Sequence, residues 1–248
     1  MELIITPKRL VQFFAAMAVC LTFAHVSVQT VRFVTGHDAL LGLVALFSLG
    51  SDVSLAAFYS SFAILFCSVL SALIGVAGWR EAHSQAPYWL GLAAIFLFLS
   101  VDEMLGLHEH LNDLIRSALG SGGFFYYAWV IPYGAALSIF LAVYFRFLIR
   151  LPLRTAVLSV VAGATFVGGA VGAEMIGGWY SEAHGNDNVT YVALQTIEEL
   201  LEMAGIVILI FALAEYIHLR FGEVGVRISE SGSAVTGLKE RNNAPRKP

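Results

Sequence analysis

Charge is the scarcest ingredient of this sequence. Only 13% of its 248 residues are Asp, Glu, Lys or Arg, 58% are hydrophobic, and the mean hydropathy is +0.77. Soluble domains carry about twice that share of charge, so a soluble enzyme of this length is excluded. Cysteine is also rare: Cys20 and Cys67 both fall inside apolar runs. Two such residues supply neither a disulfide framework nor a thiolate metal cage, and they read as small core residues. No polar stretch is long enough for a second folded domain, and no basic patch suits nucleic acid. Lys8 and Arg9 precede a long apolar run without an A-x-A-like cleavage site, which reads as a retained first span and not a removed signal peptide.

What is present is six long apolar runs, near residues 10–31, 53–78, 88–111, 124–148, 154–180 and 191–219. Each reaches the roughly 20 residues that cross a bilayer as a helix, and none shows the alternation of a barrel strand. The expected fold is all-α: a polytopic membrane helical bundle of about six spans over residues 1–221. The apolar stretch at 38–50 is too short to cross and reads as a short interfacial or re-entrant helix. Residues 222–248 lose aromatic content and gain Gly, Ser, Asn and basic residues, the composition of a disordered tail.

Twelve Lys and Arg fall on one set of connections: Lys8, Arg9, Arg80, Arg146, Arg150, Arg154, Arg220, Arg227, Lys239, Arg241, Arg246 and Lys247. The opposite set has only Arg32 and Arg116. Cytoplasmic segments carry the basic excess, so both termini are expected inside a bacterial inner membrane, with the loops near His37, Asp113 and His184 outside.

Basic residues are missing where acids gather. There is no Lys or Arg between Arg80 and Arg116, or between Arg154 and Arg220. Yet the third span ends SVDEMLGLHEH, with Asp102, Glu103, His108, Glu109 and His110; the fifth carries Glu174; the sixth carries Glu198, Glu199 and Glu202. At 1.5 Å per residue, Asp102, Glu174 and Glu202 sit about 14, 9 and 16 Å below the external ends of their spans. At 100° per residue, Asp102, Glu103, Glu109 and His110 share an arc of about 120° on a continuous third span, and His108 lies off it. Tyr191, Gln195, Glu198 and Glu202 make a second polar stripe. The inner halves are apolar throughout, so the pattern implies an outward vestibule and not a pore.

Carboxylates in a low-dielectric interior need protons, a bound metal ion or a cationic ligand. Metal suits these residue types best. The expected ligands are Asp102, Glu103, His108, His110, Glu174, Glu198 and Glu202, with Glu109 and Glu199 as general bases for a divalent Fe, Zn or Mn centre. The set has the flavour of dinuclear carboxylate bundles, without their paired Glu-x-x-His elements. Bland roles compete: a protonated Glu174, solvated Glu109 and His110, and His184 in an external loop. His25, Tyr59, Ser60, Ser61, Tyr126, Tyr127 and Tyr133 are further candidates for lining the vestibule, His25 foremost. Gly168-x-x-x-Gly172 permits close helix approach near Glu174.

The runs FLFLSVDEMLGLHEH and TIEELLEMAG, with LFSLGSDVSLAAFYSS before the second span, resemble a group of bacterial multi-pass membrane proteins with a Leu-Ser-x-Asp-Glu…His-Glu element and a later Glu-Glu-x-x-Glu element. The resemblance runs to about residue 220. It implies that Ser100, Asp102, Glu103, His108, Glu109, Glu198, Glu199 and Glu202 act as one unit, and it supplies no activity. The expectation is a metal-dependent membrane enzyme, a hydrolase or an oxidoreductase, acting on a lipid, quinone or other apolar small molecule. A proton- or metal-coupled transporter and an assembly or sensor protein are the alternatives.

Overall fold

The computed structural model describes residues 2–4, 6–37, 39–51, 53–81, 84–221 and 225–227. Among the described residues, six helical stretches are long and apolar enough to cross a membrane: α1 (Pro7–Thr35), α3 (Leu55–Arg80), α4 (Ala86–Leu105), α6 (Val130–Leu148), the stretch Leu153–His184 and α9 (Val189–Phe221). Between α1 and α3 lies a 3-10 turn, Leu40–Gly42, followed by a five-residue helix, α2 (Leu43–Phe47), where an interfacial element is expected. The stretch Leu153–His184 divides into α7 (Leu153–Val167), a π-helical turn (Gly168–Ala173) and α8 (Glu174–His184). Strands β1 (Glu2–Ile4) and β2 (Gly225–Arg227) pair antiparallel, so both chain ends meet at one end of the bundle, here the proximal end. Apart from 225–227, the tail expected to lack order lies outside the described residues.

Helix α9 is central, packing against α1, α3, α7, α8 and the π turn. Its closest approaches rest on glycine. A Cβ on Gly205 would stand 2.7 Å from the Phe166 backbone nitrogen, and one on Gly169 would stand 2.7 Å from the Glu198 carbonyl oxygen. Gly168 and Gly172 have nothing within 4 Å of a Cβ, so the expected small-residue pair is not the contact. The π turn, which holds more residues per revolution than an α-helix, brings Gly169 to the interface. Helices α3 and α4 form a hairpin joined by hydroxyls: Ser61 Oγ donates to the Ser100 carbonyl at 2.7 Å, Ser100 Oγ to the Ser61 carbonyl at 2.9 Å, and Ser68 Oγ to the Ala93 carbonyl at 2.7 Å. With no water in the bilayer core, such bonds between helices contribute about 0.6–2 kcal/mol each. Cys67 is buried in the core, whereas Cys20 is exposed on α1, a correction to its reading as a core residue.

The third span differs most from expectation. It does not run to residue 111 but stops at Leu105, because Gly106 takes the left-handed conformation (φ 57°). A second helix, α5 (Leu107–Leu119), leaves in a new direction and ends at another left-handed glycine, Gly120 (φ 62°). Only glycine adopts that conformation without a steric cost. The fourth span also begins later than expected, at Val130, after a 3-10 turn at Gly123–Phe125.

Candidate functional site

In the distal half of the bundle, away from the chain ends, lies a cavity of about 630 Å³. One wall is the end of α4 with α5, contributing Asp102, Glu103, His108, Glu109, Asn112 and Asp113. The facing wall is the π turn, α8 and α9, contributing Glu174, Tyr191, Gln195, Glu198, Glu199 and Glu202. Tyr127, Trp129 and Tyr133 close one side, and Gln29 and Arg32 enter from α1. Ala57, Ile64, Leu99 and Phe166 give an apolar floor. Exposed Glu109, Asp113 and Asn186 carry the lining to the distal surface.

Asp102 organises the first wall and is buried. Its Oδ1 accepts from the His108 backbone N–H at 3.0 Å and from the Tyr133 hydroxyl at 2.8 Å, while Oδ2 lies 3.2 Å from His108 Nδ1. The carboxylate thereby caps the first turn of α5, satisfying a backbone donor that has no helical acceptor. The break at Gly106 makes this possible: on a continuous helix His108 faces away from Asp102, and after the left-handed turn it comes back onto it. His108 is thus inside the site, contrary to its expected place off the acidic arc. His110 is outside it, exposed, with Nδ1 donating to the Gly106 carbonyl at 2.7 Å. Burial disfavours the imidazolium of His108, but the Asp102 hydrogen bond and the charges of Asp102, Glu103 and Glu109 outweigh it and leave the pKa raised.

The network continues across the cavity. The His108 and Trp129 rings lie 4.8 Å apart, Trp129 Nε1 donates to Glu174 Oε1 at 3.3 Å, and Glu174 in turn hydrogen-bonds Glu198. A contact between two carboxyls requires a shared proton or an intervening cation. Glu103, Glu174 and Glu199 are close enough to Glu202 for their charges to act on it. Tyr127 and Tyr191 join hydroxyl to hydroxyl at 2.8 Å, and Gln195 Nε2 donates to the Gly50 carbonyl at 3.2 Å.

Seven carboxylates expected at the site, Asp102, Glu103, Glu109, Glu174, Glu198, Glu199 and Glu202, therefore border one space with His108. Among the described residues, however, no three His, Cys, Asp or Glu side chains form a group able to hold one metal ion. His25 is not part of the lining. It is buried, its Nδ1 accepting from the Leu49 backbone N–H at 3.1 Å and its Nε2 meeting Thr196 Oγ1 at 3.1 Å, which ties α1, the segment after α2 and α9 together. Tyr59 is spent on the Phe14 carbonyl and Ser61 on the α3–α4 joint. His184 is exposed and stacks on Tyr180. Sequence reasoning missed Arg32, which pairs with Asp187 and donates to Gln29 Oε1 at 3.4 Å, and it missed Trp129. His108 was among the expected ligands, and the glycine in Glu-Met-Leu-Gly-Leu-His is the signal for the turn that brings it back onto Asp102.

The chain matches a family described as "Domain of unknown function (DUF8692)" over residues 11–216, which takes in both walls of the cavity. No curated protein and no solved structure matches it.

Proposed function

The chain belongs to the DUF8692 family, whose description carries no activity, and we propose that its cavity binds a membrane-borne amphiphile with a cationic head. The observation that carries this reading is one space that combines facing carboxylate walls with an apolar floor inside a membrane-spanning bundle. Carboxylates removed from water need counter-charge. Arg32 is engaged by Asp187 and His108 by Asp102. An ammonium head placed between Glu174, Glu198 and the Asp102 wall answers the remaining demand, and the aromatic rings at the side of the cavity add cation–π attraction. An alkyl chain fits the floor of Ile64, Leu99 and Phe166. The cavity's volume lies in the range of small-molecule sites and far exceeds what one ion needs.

The Lys and Arg distribution supports a distal end outside the cytoplasmic membrane, and with it a ligand taken from the external side. His108, its Nδ1 held by Asp102, lines the cavity on the same wall as Glu103 and Glu109. An imidazole oriented in this way supports a general acid–base role for His108 toward a bound ligand, and with it the reading of the chain as a membrane enzyme. Binding to protein in lipid nanodiscs tests the reading. Dodecylamine is expected to bind, with affinity falling about tenfold in Glu198→Gln, roughly 1.4 kcal/mol. Equal binding of neutral dodecanol, or no binding of the amine, overturns it.

A second reading rests on the Glu174–Glu198 contact alone. A divalent Fe, Zn or Mn ion lodged there, with Glu202 recruited as a third ligand, makes the chain a metal-dependent hydrolase or oxidoreductase, or an ion-coupled transporter. One or two equivalents of metal per chain after purification without chelators favour it over the amine.

A further inference from the structure

Helix α5 has two faces of different character. At 100° per residue, His108, Glu109, Asn112, Asp113 and Arg116 occupy an arc of about 140°, and Leu107, Leu111, Leu114, Ile115 and Ala118 occupy an opposed arc of about 100°. Four residues of the polar arc, His108, Glu109, Asn112 and Asp113, line the cavity. The apolar arc turns away from it: Leu111 is exposed, and Leu114 is 68% exposed. A soluble helix would bury that stripe against the protein; here it is unburied at the distal end of a membrane-spanning bundle.

The surroundings say what covers it. The stripe continues the exposed apolar surface of α4, through Val101, Met104 and Leu105, which as the outer end of a spanning helix is lipid-facing. At the same end Trp179 is exposed and stacked on exposed Phe124 at 6.0 Å, and tryptophan is a residue type that marks the headgroup layer. Arg116 lies over the Tyr126 ring at 3.9 Å. Both ends of α5 are left-handed glycines, which let the helix leave the direction of α4. Its tie to the bundle is polar: Asp102 holds the His108 backbone, and Asn112 Oδ1 accepts from the Ala128 N–H at 2.6 Å.

We propose that α5 is an interfacial helix seated in the distal lipid leaflet, its Leu111–Leu114–Ile115 stripe in the acyl boundary and its His108–Asp113 face forming the wall of the cavity. Such a helix lies in the membrane plane with its apolar face sunk below the headgroups. The cavity mouth is therefore set at headgroup depth. Resting on the ligand reading above, this makes the leaflet, and not bulk water, the source of the amphiphile.

Hydroxyl-radical footprinting of the unmodified chain in phosphatidylcholine/phosphatidylglycerol nanodiscs tests the seat without any ligand. Leu111, Leu114 and Ile115 are expected to be oxidised at least tenfold more slowly than the exposed distal residue His184, after correction for intrinsic reactivity. A spin label at Leu114→Cys or Asp113→Cys, in a chain with Cys20 and Cys67 replaced, gives a second readout. Position 114 is expected to favour lipid-soluble oxygen, and position 113 a water-soluble nickel chelate. Oxidation of the stripe at the rate of His184, or equal nickel access at 113 and 114, overturns the seat. Because no amine is present, that failure is distinct from failure of dodecylamine to bind.

Discussion

Asp102 and His108 are joined twice, once through the His108 backbone N–H at 3.0 Å and once through its ring at 3.2 Å. One carboxylate therefore both starts α5 and aims the imidazole. Replacing Asp102 with Asn keeps an acceptor for the backbone but removes the charge. The His108 pKa is expected to fall from its raised position, because burial is then opposed only by the charges of Glu103 and Glu109. The sign for stability follows. A folded-state pKa above the unfolded one contributes stability that is full below about 6.5 and fades as pH rises through the folded value. The melting difference between the native chain and Asp102→Asn should accordingly be larger at pH 5.5 than at pH 9. Thermal melts in detergent at the two pH values, with ring-labelled histidine NMR, check this.

Gly106 gives the same relationship a backbone test. Gly106→Ala puts a Cβ into the left-handed region, at a cost of about 1–2 kcal/mol. The variant is expected to melt lower and to bring the His108 resonance toward that of a free histidine, since the turn that folds α5 back onto Asp102 relaxes. Gly36→Ala carries a comparable backbone penalty (φ 69°) at the far end of α1. It should lower the melting point without moving the His108 signal.

The two glycines three residues apart in the π turn should behave oppositely. A Cβ at Gly169 meets the Glu198 carbonyl at 2.7 Å and Glu202 Cγ at 2.9 Å, whereas one at Gly172 meets nothing within 4 Å. Overpacking against backbone typically costs 1–3 kcal/mol. Gly169→Ala is expected to destabilise by about that much and to weaken amine binding by displacing Glu198 and Glu202. Gly172→Ala should match the native chain in both. Paired melts and binding curves decide it.

The fate of the histidines shows where sequence was sufficient and where it was not. The six spans follow from run length, and the polar distal halves of α4 and α9 follow from helical periodicity, so the acids of the two walls were legible before any fold was known. Periodicity assumes an unbroken helix, however: of the two histidines expected as ligands it put His110 on the acidic arc and His108 off it, and the left-handed turn at Gly106 brings in His108 and leaves out His110. Arg32 sits on α1, remote in sequence from both walls, and only packing brings it to the cavity. His25 carried the opposite lesson: a histidine in an apolar helix with an orphan backbone N–H to satisfy is structural, and nothing local in the sequence marks Leu49 as its partner.

His25 and Glu198 should therefore separate stability from binding. His25→Ala leaves the buried Leu49 N–H without its acceptor, a loss of about 1–3 kcal/mol, and should lower the melting point. Glu198→Gln replaces one of two acids in contact with a neutral donor that satisfies Glu174 directly. It is expected to leave the melting point unchanged or raised while dodecylamine affinity falls about tenfold. Chelation sets the remaining contrast. With an amine as the ligand, prolonged EDTA treatment changes neither the melting point nor the affinity, because no ion bridges Glu174 and Glu198. With a bound divalent ion, EDTA lowers the melting point of the native chain and has no effect on Glu198→Gln, which has already lost the ligand. Inductively coupled plasma mass spectrometry on the same samples shows whether any shift tracks metal.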